Sequence, residues 1–405
     1  MKAKTSPPKQ LRGGAPLWAD SPRISVRHHT KLEPLTCEIV IVGAGISGAI
    51  AALMLTENGH DVVVLDRRAP VTGSTLASTA MIQYEIDTPL SELADKIGAR
   101  KAERAYRRAF QGNVSLRKLA ERHDIACALK DRDALLLAGN EMGARALHAE
   151  ADYRARIGLP ATFLNQADLR ERFGFDRTGA ILSSGNAELN PAQYAAGALR
   201  AAQALGARIY SPHDVKDIVA SDKHVALRMT TGMAVIAQKV VFATGYETLP
   251  QIPKQKYDIV STWAIATKPL PPDAFWPTRC LVWEASDPYL YMRATADNRI
   301  VVGGEDADVS SPEKRDAATG RKSQRLLAKL QKLLPGRDLK IDYAWSGAFA
   351  DSPTGLPYLA PLDHMPNCFA LLGCGGNGIT FSAIAGELIT AWAAGRRDPD
   401  ADLFE

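Results

Sequence analysis

Residues 38–48 read EIVIVGAGISG, an apolar stretch that runs directly into the pattern G-x-G-x-x-G. The apolar residues predict a buried strand, and the residues after the first glycines predict the start of a helix. Gly43, Gly45 and Gly48 suit a tight turn, a close approach of backbone to a pyrophosphate, and close packing of helix against strand, in that order. The free N–H groups of the helix N-terminus would face the phosphates.

The residues that follow complete a β-α-β unit of about 30 residues. An apolar helix is predicted from about Ile46 to Glu57, and a second buried strand over residues 61–65. That strand ends at Asp66, 18 residues beyond Gly48, where a carboxylate can hydrogen-bond a ribose 2′-OH. The alternative is a glycine-rich turn in an unrelated α/β protein. The strand, the glycines and the acidic residue together favour a dinucleotide site.

The rest of the chain favours FAD over NAD as the dinucleotide. An NAD-binding fold would continue with further β-α-β units, whereas a mixed α/β insertion follows here. Two distant segments resemble further dinucleotide contacts: the strand 240–245, which ends in Ala-Thr-Gly, and the loop 372–380, LGCGGNGIT, which leads into the last helix. A helix N-terminus carries partial positive charge and reduced flavin is negative near N1 and O2, so this pairing is electrostatically favourable.

Composition and charge exclude several other classes. The net charge of +4 is small, and no segment combines basic residues with stacking aromatics, so no nucleic-acid partner is expected. The basic run from Arg100 to Arg108 is either the solvated face of a helix or a docking patch for an acidic partner. The five cysteines include no C-x-x-C pair, so neither a disulfide framework nor a metal site is expected. Residues 1–36 do not have the pattern of a signal peptide and no run approaches the ~20 apolar residues of a transmembrane helix, so we expect a soluble, cytoplasmic protein.

From about Trp18 to its end, the chain resembles the D-amino-acid oxidase/glycine oxidase (DAO) superfamily of FAD-dependent oxidoreductases, because it combines all three nucleotide motifs. Within it, Leu17-Trp18-Ala19-Asp20 and the segment Trp345-x-Gly347 are most similar to the γ-glutamylputrescine oxidase-like branch. The resemblance implies an α/β fold: a Rossmann-type FAD-binding domain with an interleaved α+β substrate domain containing a mixed β-sheet. It predicts a lead-in at 1–35, an FAD-binding domain from 36–95, 185–250 and 340–405, and a substrate domain from 96–184 and 251–339.

The resemblance also assigns cofactor contacts. It places Ile46 and Ser47 at the pyrophosphate, Asp66 at the ribose and Arg67 beside the adenosine. The other implied FAD-binding residues belong to the glycine motif, the small-residue loop after the second strand, the adenine contact, the Ala-Thr-Gly segment and the C-terminal loop: Gly43, Gly45, Gly48, Ser74, Thr75, Thr79, Ala80, Met81, Val215, Thr244, Gly245, Gly375, Gly376, Asn377, Gly378, Ile379 and Thr380. The position of the flavin-linking cysteine in some relatives is not Cys here, so we expect non-covalent FAD.

The substrate side departs from the family pattern. Phe349 takes the position of the arginine that clamps the carboxylate in amino-acid oxidases, and Asp351 lies nearby. An apolar and acidic lining favours a cationic amine over a simple α-amino acid. Arg293 is an alternative carboxylate binder, or else the partner of Glu305 or Asp306 in a buried ion pair.

Several residues remain candidates for the substrate pocket. Arg293, Tyr84 and Asp351 are the catalytic candidates, and Gln83 and Glu85 could line the pocket with Tyr84. Trp263 and Trp283 are either aromatics above the substrate or core residues. Flavin-dependent amine oxidation needs little acid–base machinery, because positioning supplies most of the rate.

The predicted activity is oxidation of the C–N bond of an amine or amino acid by hydride transfer to flavin N5, giving an imine that hydrolyses. The electron acceptor would be oxygen or a quinone, and the absence of lysine from the strand 258–267 favours a dehydrogenase. The alternatives are a quinone-linked D-amino-acid dehydrogenase, a flavin-bearing subunit of a heteromeric amine or amino-acid dehydrogenase, and a nucleotide-binding module without chemistry.

Overall fold

The computed structural model describes residues 10–252 and 257–405, so the first nine residues of the predicted lead-in lie outside the described part. The α-helices of this part are α1 (Ile46–Glu57), α2 (Leu90–Ile97), α3 (Ala99–Arg122), α4 (Ala144–Arg156), α5 (Gln166–Phe173), α6 (Pro191–Ala204), α7 (Pro312–Leu333) and α8 (Gly378–Ala393). Short 3-10 helices lie at Leu17–Asp20, Ser74–Ala77, Pro272–Ala274, Pro277–Arg279 and Ala401–Leu403.

The strands of the described residues alternate with these helices and belong to two sheets. They are β1 (Arg12–Gly14), β2 (Leu35–Val42), β3 (Val62–Leu65), β4 (Met81–Ile82), β5 (Lys130–Leu137), β6 (Ala161–Asn165), β7 (Gly179–Glu188), β8 (Arg208–Tyr210), β9 (Val215–Ala220), β10 (Val225–Met229), β11 (Ala234–Phe242), β12 (Asp258–Thr267), β13 (Leu281–Glu284), β14 (Leu290–Ala294), β15 (Ile300–Ala307), β16 (Ile341–Asp351), β17 (Tyr358–Pro361) and β18 (Cys368–Leu372).

The smaller sheet, here the nucleotide sheet, is built around parallel strands in the order β18-β11-β2-β3-β8. β17 adds an antiparallel edge, and β9 and β10 extend β11 as an antiparallel ribbon. Strand β3 is entirely apolar and fully buried, as expected for a parallel sheet covered on both faces. Helix α1 packs against α6 and α8 on one side of this sheet.

The second sheet, here the large sheet, has the order β1-β16-β12-β15-β14-β13-β5-β7-β4, with β6 paired to β7. β13 and β5 pair in parallel and the other pairs are antiparallel, so the sheet is mixed. Helix α7 packs across β12, β15 and β16, where Leu326, Leu330 and Trp263 enter a common core. The predicted α/β class with a mixed sheet is therefore confirmed.

Two strands pair differently from the predicted domain ranges. β16 lies within the range 340–405 predicted for the FAD-binding domain, yet it pairs with β12 of the large sheet along its whole length. β4, predicted in the range 36–95, pairs with β7 of the same sheet. Both strands therefore belong to the large sheet, which long-range pairing decides and local pattern does not.

The basic run on α3 is bound within the chain. Arg104 donates to the carboxylates of Asp400 and Asp402, at 2.9 and 2.7 Å, and Arg108 donates to Asp398 at 3.0 Å. The C-terminal segment that supplies these carboxylates also buries Phe404 in the core. The run is thus neither a simple solvated face nor a free docking patch, because its central arginines hold the C-terminus of the chain.

Candidate functional site

A long cavity separates the two sheets. It encloses about 1600 Å³ of space between protein atoms, counting its open mouth, and runs from Asp66 at the edge of the nucleotide sheet to Tyr289 and Tyr291 under the large sheet. Loops that follow β2, β3, β11 and β18 all reach it, because the carboxyl ends of parallel strands meet at one edge of a sheet.

The glycine turn after β2 is tightly enclosed. Gly43 has φ of +118°, and a side chain there would lie 2.3 Å from the carbonyl oxygen of Ala243. A Cβ at Gly48 would lie 1.8 Å from the carbonyl oxygen of Gly43, so α1 can start here only on a glycine. Gly48 therefore serves helix packing, while Gly43 and Gly45 line the cavity.

Asp66, which directly follows β3, stabilises this turn by accepting backbone hydrogen bonds. Its Oδ2 accepts the N–H of Ala44 at 2.6 Å and its Oδ1 accepts the N–H of Arg68 at 2.8 Å. Burial raises the pKa of Asp66, and these two N–H donors oppose the rise. The residue lines the cavity, as a ribose-binding carboxylate would.

The N-terminus of α1 opens on the cavity. Gly45 caps the helix without a side-chain hydrogen bond, and the N–H of Ile46 donates to Thr75 Oγ1 at 3.0 Å. Ser47 also lines the cavity, and its hydroxyl lies 2.7 Å from that of Ser382 on α8. Such a helix end favours an anionic phosphate.

A charged cluster that we did not predict closes the adenosine end. Arg68 forms a bidentate ion pair with the buried Glu247, with N···O distances of 2.5 and 2.7 Å. Arg67 Nη2 lies 3.6 Å from the same carboxylate. His213 also lines this end. Glu247 follows the Ala-Thr-Gly segment by two residues, but no local pattern indicates its pairing with Arg68.

Unpaired hydroxyl groups test whether FAD fits the cavity. Within the described residues, Ser74 Oγ, Thr244 Oγ1 and Thr262 Oγ1 are buried and make no hydrogen bond. All three residues line the cavity at successive positions along it. Buried polar groups are rarely left unpaired, so a ligand with polar groups along its length, as FAD has, fits the cavity.

Some residues of the C-terminal loop line the cavity, and others pack in the core. Asn377 Nδ2 donates to the carbonyl of Glu85 at 2.9 Å, and the Thr380 hydroxyl lies 2.9 Å from both the Gln83 carbonyl and Asn113 Oδ1. These contacts hold the start of α8, while the glycines of the loop face the cavity. The predicted contacts of Asn377 and Thr380 with the cofactor therefore do not fit their side-chain positions.

The predicted cofactor residues that line the cavity are Gly43, Gly45, Ile46, Ser47, Asp66, Arg67, Ser74, Thr75, Thr79, Val215, Thr244, Gly245, Gly375, Gly376, Gly378 and Ile379. Five others do not line it: Gly48, Ala80, Met81, Asn377 and Thr380. Ala80 and Met81 lie where the chain enters β4, so the pairing of β4 with β7 draws them away from the cavity. Of the three residues 79–81, only Thr79 lines it.

We call the part of the cavity under the large sheet the chamber; it is lined by Thr262, Tyr289, Tyr291 and Phe349. The rings of Tyr289 and Tyr291 lie 5.3 Å apart between centroids. A side chain at Gly303 would lie 2.4 Å from the Tyr291 ring, so the ring fits in this position only because residue 303 is a glycine. The alternation in Tyr-Leu-Tyr, with Leu290 buried in the core, was a signal that could have identified both tyrosines.

Arg293 lies outside the chamber, which corrects the expectation that it binds substrate. Its guanidinium donates to the carbonyls of Thr79 at 2.6 Å and Leu189 at 2.8 Å, and lies 3.6 Å from Glu188 and over the ring of Trp18. Burial lowers the pKa of Arg293 to about 10, with Glu188 opposing. The alternative of an internal ion pair holds, but the partner is Glu188 rather than Glu305 or Asp306.

The other substrate-side candidates are also displaced. Tyr84 is fully buried and its hydroxyl lies 3.3 Å from the Pro160 carbonyl, so neither its ring nor its hydroxyl reaches the chamber. Trp263 faces α7, where its Nε1 donates to the Arg315 carbonyl at 3.1 Å. Trp283 lines no part of the cavity, and neither do Gln83 and Glu85.

Asp351 lies in a second depression. Asp87, Asp258 and Lys96 line it as well, and Gly375 lines both this depression and the main cavity. Loss of hydration raises the pKa of Asp87 to about 6; the charge of Asp351 adds to the rise and the N–H of Gly376 opposes it. This acidic depression adjoins the chamber without being part of it.

The part of the chain that the structure describes contains neither a membrane-spanning helix nor a cluster of metal-binding side chains. No helix there is long and apolar enough to cross a membrane. No group of three or more His, Cys, Asp or Glu side chains there could hold a metal ion.

Comparisons with known proteins agree with this geometry. The chain is 27% identical over 382 residues to gamma-glutamylputrescine oxidoreductase of Escherichia coli, covering 92% of this chain and 86% of the relative. It is 26% identical over 388 residues to the probable oxidoreductase OrdL of Haemophilus influenzae, covering 92% and 87%.

Solved structures show the same fold. Glycine oxidase from Geobacillus kaustophilus superposes with a TM-score of 0.74 at 21% identity, covering 90% of this chain and 96% of that one. L-proline dehydrogenase from P. horikoshii gives 0.76 at 17% identity, covering 90% and 95%. The model of the family described as "FAD dependent oxidoreductase" (DAO) matches residues 38–392. The chain therefore belongs to the DAO family of FAD-dependent oxidoreductases.

Proposed function

We propose that this protein oxidises the C–N bond of an amine or amino acid with FAD as its non-covalent cofactor. The observation that carries the proposal is the continuity of the cavity, which joins a dinucleotide groove at Asp66 to a chamber walled by Tyr289, Tyr291 and Phe349. Relatives named for such substrates, gamma-glutamylputrescine oxidoreductase and glycine oxidase, support it. When bound, FAD supplies the acceptor for a hydride from the carbon next to nitrogen.

The chain's own residues have positioning roles in this proposal. The N–H groups at the start of α1 bind the pyrophosphate, and the hydroxyls of Ser74 and Thr244 bind polar groups farther along the dinucleotide. The start of α8, held in place through Thr380, turns its positive end toward the flavin. Tyr291 and Phe349 exclude water and orient the substrate, which is the main contribution such a reaction needs.

The charges along the cavity favour a cationic amine. Among the described residues that line it, the only lysine or arginine side chains are Arg67 and Arg68, at the adenosine end. Phe349 stands in the chamber itself, and Arg293 is engaged with Glu188. Among the described residues that line the chamber, no cation is therefore placed to hold a substrate carboxylate.

The electron acceptor is oxygen or a quinone in this proposal. No lysine from β12 lines the chamber among the described residues, which favours a dehydrogenase that passes electrons to a quinone. A quinone-linked D-amino-acid dehydrogenase, or a flavin-bearing subunit of a heteromeric dehydrogenase, is the corresponding second candidate.

Anaerobic reduction of the flavin tests the proposal. Purified holoenzyme is mixed with primary amines, diamines, N-alkyl amino acids and D- and L-amino acids, and bleaching of the flavin absorbance is followed. We expect amines to bleach it faster than amino acids. A protein whose flavin is reduced only by substrates without nitrogen, such as 2-hydroxy acids, would refute the proposed activity.

Two further measurements complete the test. Re-oxidation of the reduced enzyme by oxygen or by a soluble quinone, compared for rate, separates oxidase from dehydrogenase. Acid precipitation should release all of the flavin into the supernatant. Flavin that stays with the pellet would contradict non-covalent binding, and Cys374, which lines the cavity, would then be the residue to replace.

A further inference from the structure

One carboxylate lies directly behind the lining of the chamber. Asp306, on β15, does not line the chamber itself but lies next to Thr262 and Tyr289, both of which do. Within the described residues its Oδ1 is buried and makes no hydrogen bond, and Thr262 Oγ1 is likewise unpaired. A buried carboxylate oxygen without a partner is costly, so the site is incomplete as it stands.

A β-bulge places Asp306 there. Trp263 pairs with Gly304 and Ser261 with Ala307, so the single residue Thr262 opposes two residues of β15. Gly303 faces Tyr291 in the chamber, and strict alternation would bring residue 305 to the same face. The extra residue, accommodated by a φ of +60° at Glu305, brings Asp306 to that face instead.

The bulge also separates the two acidic side chains. Glu305 turns to α7, where its carboxylate lies 2.7 Å from Lys329 Nζ and 3.5 Å from both Lys322 Nζ and Arg325 Nη1. Glu305 thus binds the cations of α7. Asp306 lies on the chamber side of the sheet, next to the hydroxyls of Thr262 and Tyr289, and the charge of Lys322 acts on it from α7.

The surroundings of the chamber are acidic as well. The charge of Asp87 acts on Asp306, and burial raises the pKa of Asp306 to about 6 while Thr262 and Tyr289 oppose the rise. In the adjoining depression, Asp258 and Asp351 pair directly across β12 and β16. Like charges opposite each other destabilise a sheet, and here they make the adjoining depression attractive to cations.

We propose that Asp306 determines substrate specificity by attracting the ammonium group of a cationic amine through the hydroxyls of Thr262 and Tyr289, which line the chamber beside it. The substrate class is a diamine without a carboxylate next to the reacting carbon: the ammonium group near Asp306 is the nitrogen that does not react, and the nitrogen on the reacting carbon is neutral when the hydride leaves. Asp306 makes and breaks no bond, since its contribution is electrostatic. The inference rests on the proposed amine oxidation, and it explains how a chamber with Phe349 in place of an arginine holds its substrate.

A cation that cannot be oxidised tests the inference apart from turnover. tert-Butylammonium has no hydrogen on the carbon next to nitrogen, and pivalate is its anionic counterpart of similar shape. Each is titrated into holoenzyme and the perturbation of the flavin absorbance gives a dissociation constant. For Asp306→Asn we expect the constant for tert-butylammonium to rise about tenfold or more, because the variant loses the charge of the anchoring carboxylate. Binding of pivalate should be unchanged or tighter.

Matched variants control for folding and charge. Asp308→Asn removes an exposed carboxylate two residues away and should leave both constants unchanged. Asp306→Glu keeps the charge and should retain most of the cation affinity. Binding by Asp306→Asn as tight as by the wild type, or no binding of tert-butylammonium by the wild type, would overturn the inference.

The pH dependence of the wild type gives a second readout if Asp306→Asn does not retain flavin. Cation affinity should rise between pH 5 and 7 as Asp306 ionises. The groups that face Asp306 are Thr262, Tyr289, Tyr291, Asp87 and, through α7, Lys322. Burial raises the pKa of both tyrosines, so they stay neutral over this range.

Asp87 titrates in the same pH range as Asp306, so the variant Asp87→Asn separates the two effects. In this variant the cation affinity should still rise between pH 5 and 7. A wild-type affinity that does not change with pH would overturn the inference. If the amine panel fails to reduce the wild-type flavin, the proposed function fails instead, whatever the variants bind.

Discussion

Replacing Arg293 with glutamine tests whether this arginine is structural. The guanidinium is 2% exposed and joins three parts of the chain: Thr79 in the loop below the chamber, Leu189 and Glu188 at the end of β7, and Trp18 in the lead-in. Glutamine is shorter and neutral, so it cannot reach these partners together. The carbonyls of Thr79 and Leu189 would be left without a donor, and Glu188 would keep only Arg132, at 2.8 Å.

The size of the effect follows from these contacts. Breaking a buried ion pair by removing one partner costs about 3–5 kcal/mol, because the remaining charge and carbonyls stay buried. The entropy of unfolding is about 2.1 cal/mol/K per residue, so a chain of 405 residues should lose roughly 4–6 °C in Tm. The apparent affinity for an amine substrate should change by no more than about twofold in the folded holoenzyme, because Arg293 does not line the chamber.

Thermal unfolding followed by circular dichroism measures the first quantity, and anaerobic flavin reduction against substrate concentration measures the second. Arg228→Gln, an exposed arginine on β10, is the control and should shift stability by no more than about 0.5 kcal/mol. An Arg293→Gln protein with unchanged Tm and lost substrate affinity would show that Arg293 binds substrate and that our structural assignment is wrong.

Three further outcomes are expected. Gly48→Ala should purify without flavin absorbance, because its Cβ would lie 1.8 Å from a backbone oxygen of the glycine turn, whereas Gly143→Ala, which meets nothing within 4 Å, should retain flavin. Arg104→Ala should lower Tm by about 1–2 °C through loss of a charge network, and the loss should shrink in high salt; Arg100→Ala, an exposed neighbour, should show neither effect. Folding raises the pKa of Asp306 to about 6, so its protonated carboxyl favours the folded state below about pH 4. This contribution to the free energy of unfolding is lost as the pH rises through about 6. Denaturant unfolding should therefore find the apoprotein of Asp306→Asn more stable than wild type at pH 7.5 by about 1 kcal/mol, after allowance for its partial exposure, and equal at pH 4.

The amino-acid sequence alone predicted the dinucleotide half of the protein closely. Helix α1 spans Ile46–Glu57 as expected. The pair Asn190-Pro191 is typical of a helix start, and α6 begins there with the Asn190 side chain accepting the N–H groups of Ala192 and Gln193 at 3.1 Å. These features depend on neighbours within a few residues: an apolar run, a glycine turn, a cap. Local physical chemistry is sufficient for them, because glycine geometry and side-chain periodicity act over one turn or one strand.

The substrate half could not be predicted in the same way. The sequence places Arg293, Glu305 and Asp306 near one another along two strands, but it does not reveal which side chains meet. The bulge opposite Thr262 decides that Asp306 lies on the chamber side of the sheet and Glu305 on the side of α7. The loop at Thr79 passes over Arg293 and accepts its hydrogen bond, which decides that Arg293 is buried.

The sequence by itself therefore determined the cofactor class and the family, since both depend on short motifs with strict steric demands. Only the tertiary structure decided which charges lie beside the chamber, because one extra residue in a strand reverses the direction of every side chain after it. Partners such as Arg68 and Glu247 lie 179 positions apart along the chain, so no local pattern reveals their pairing.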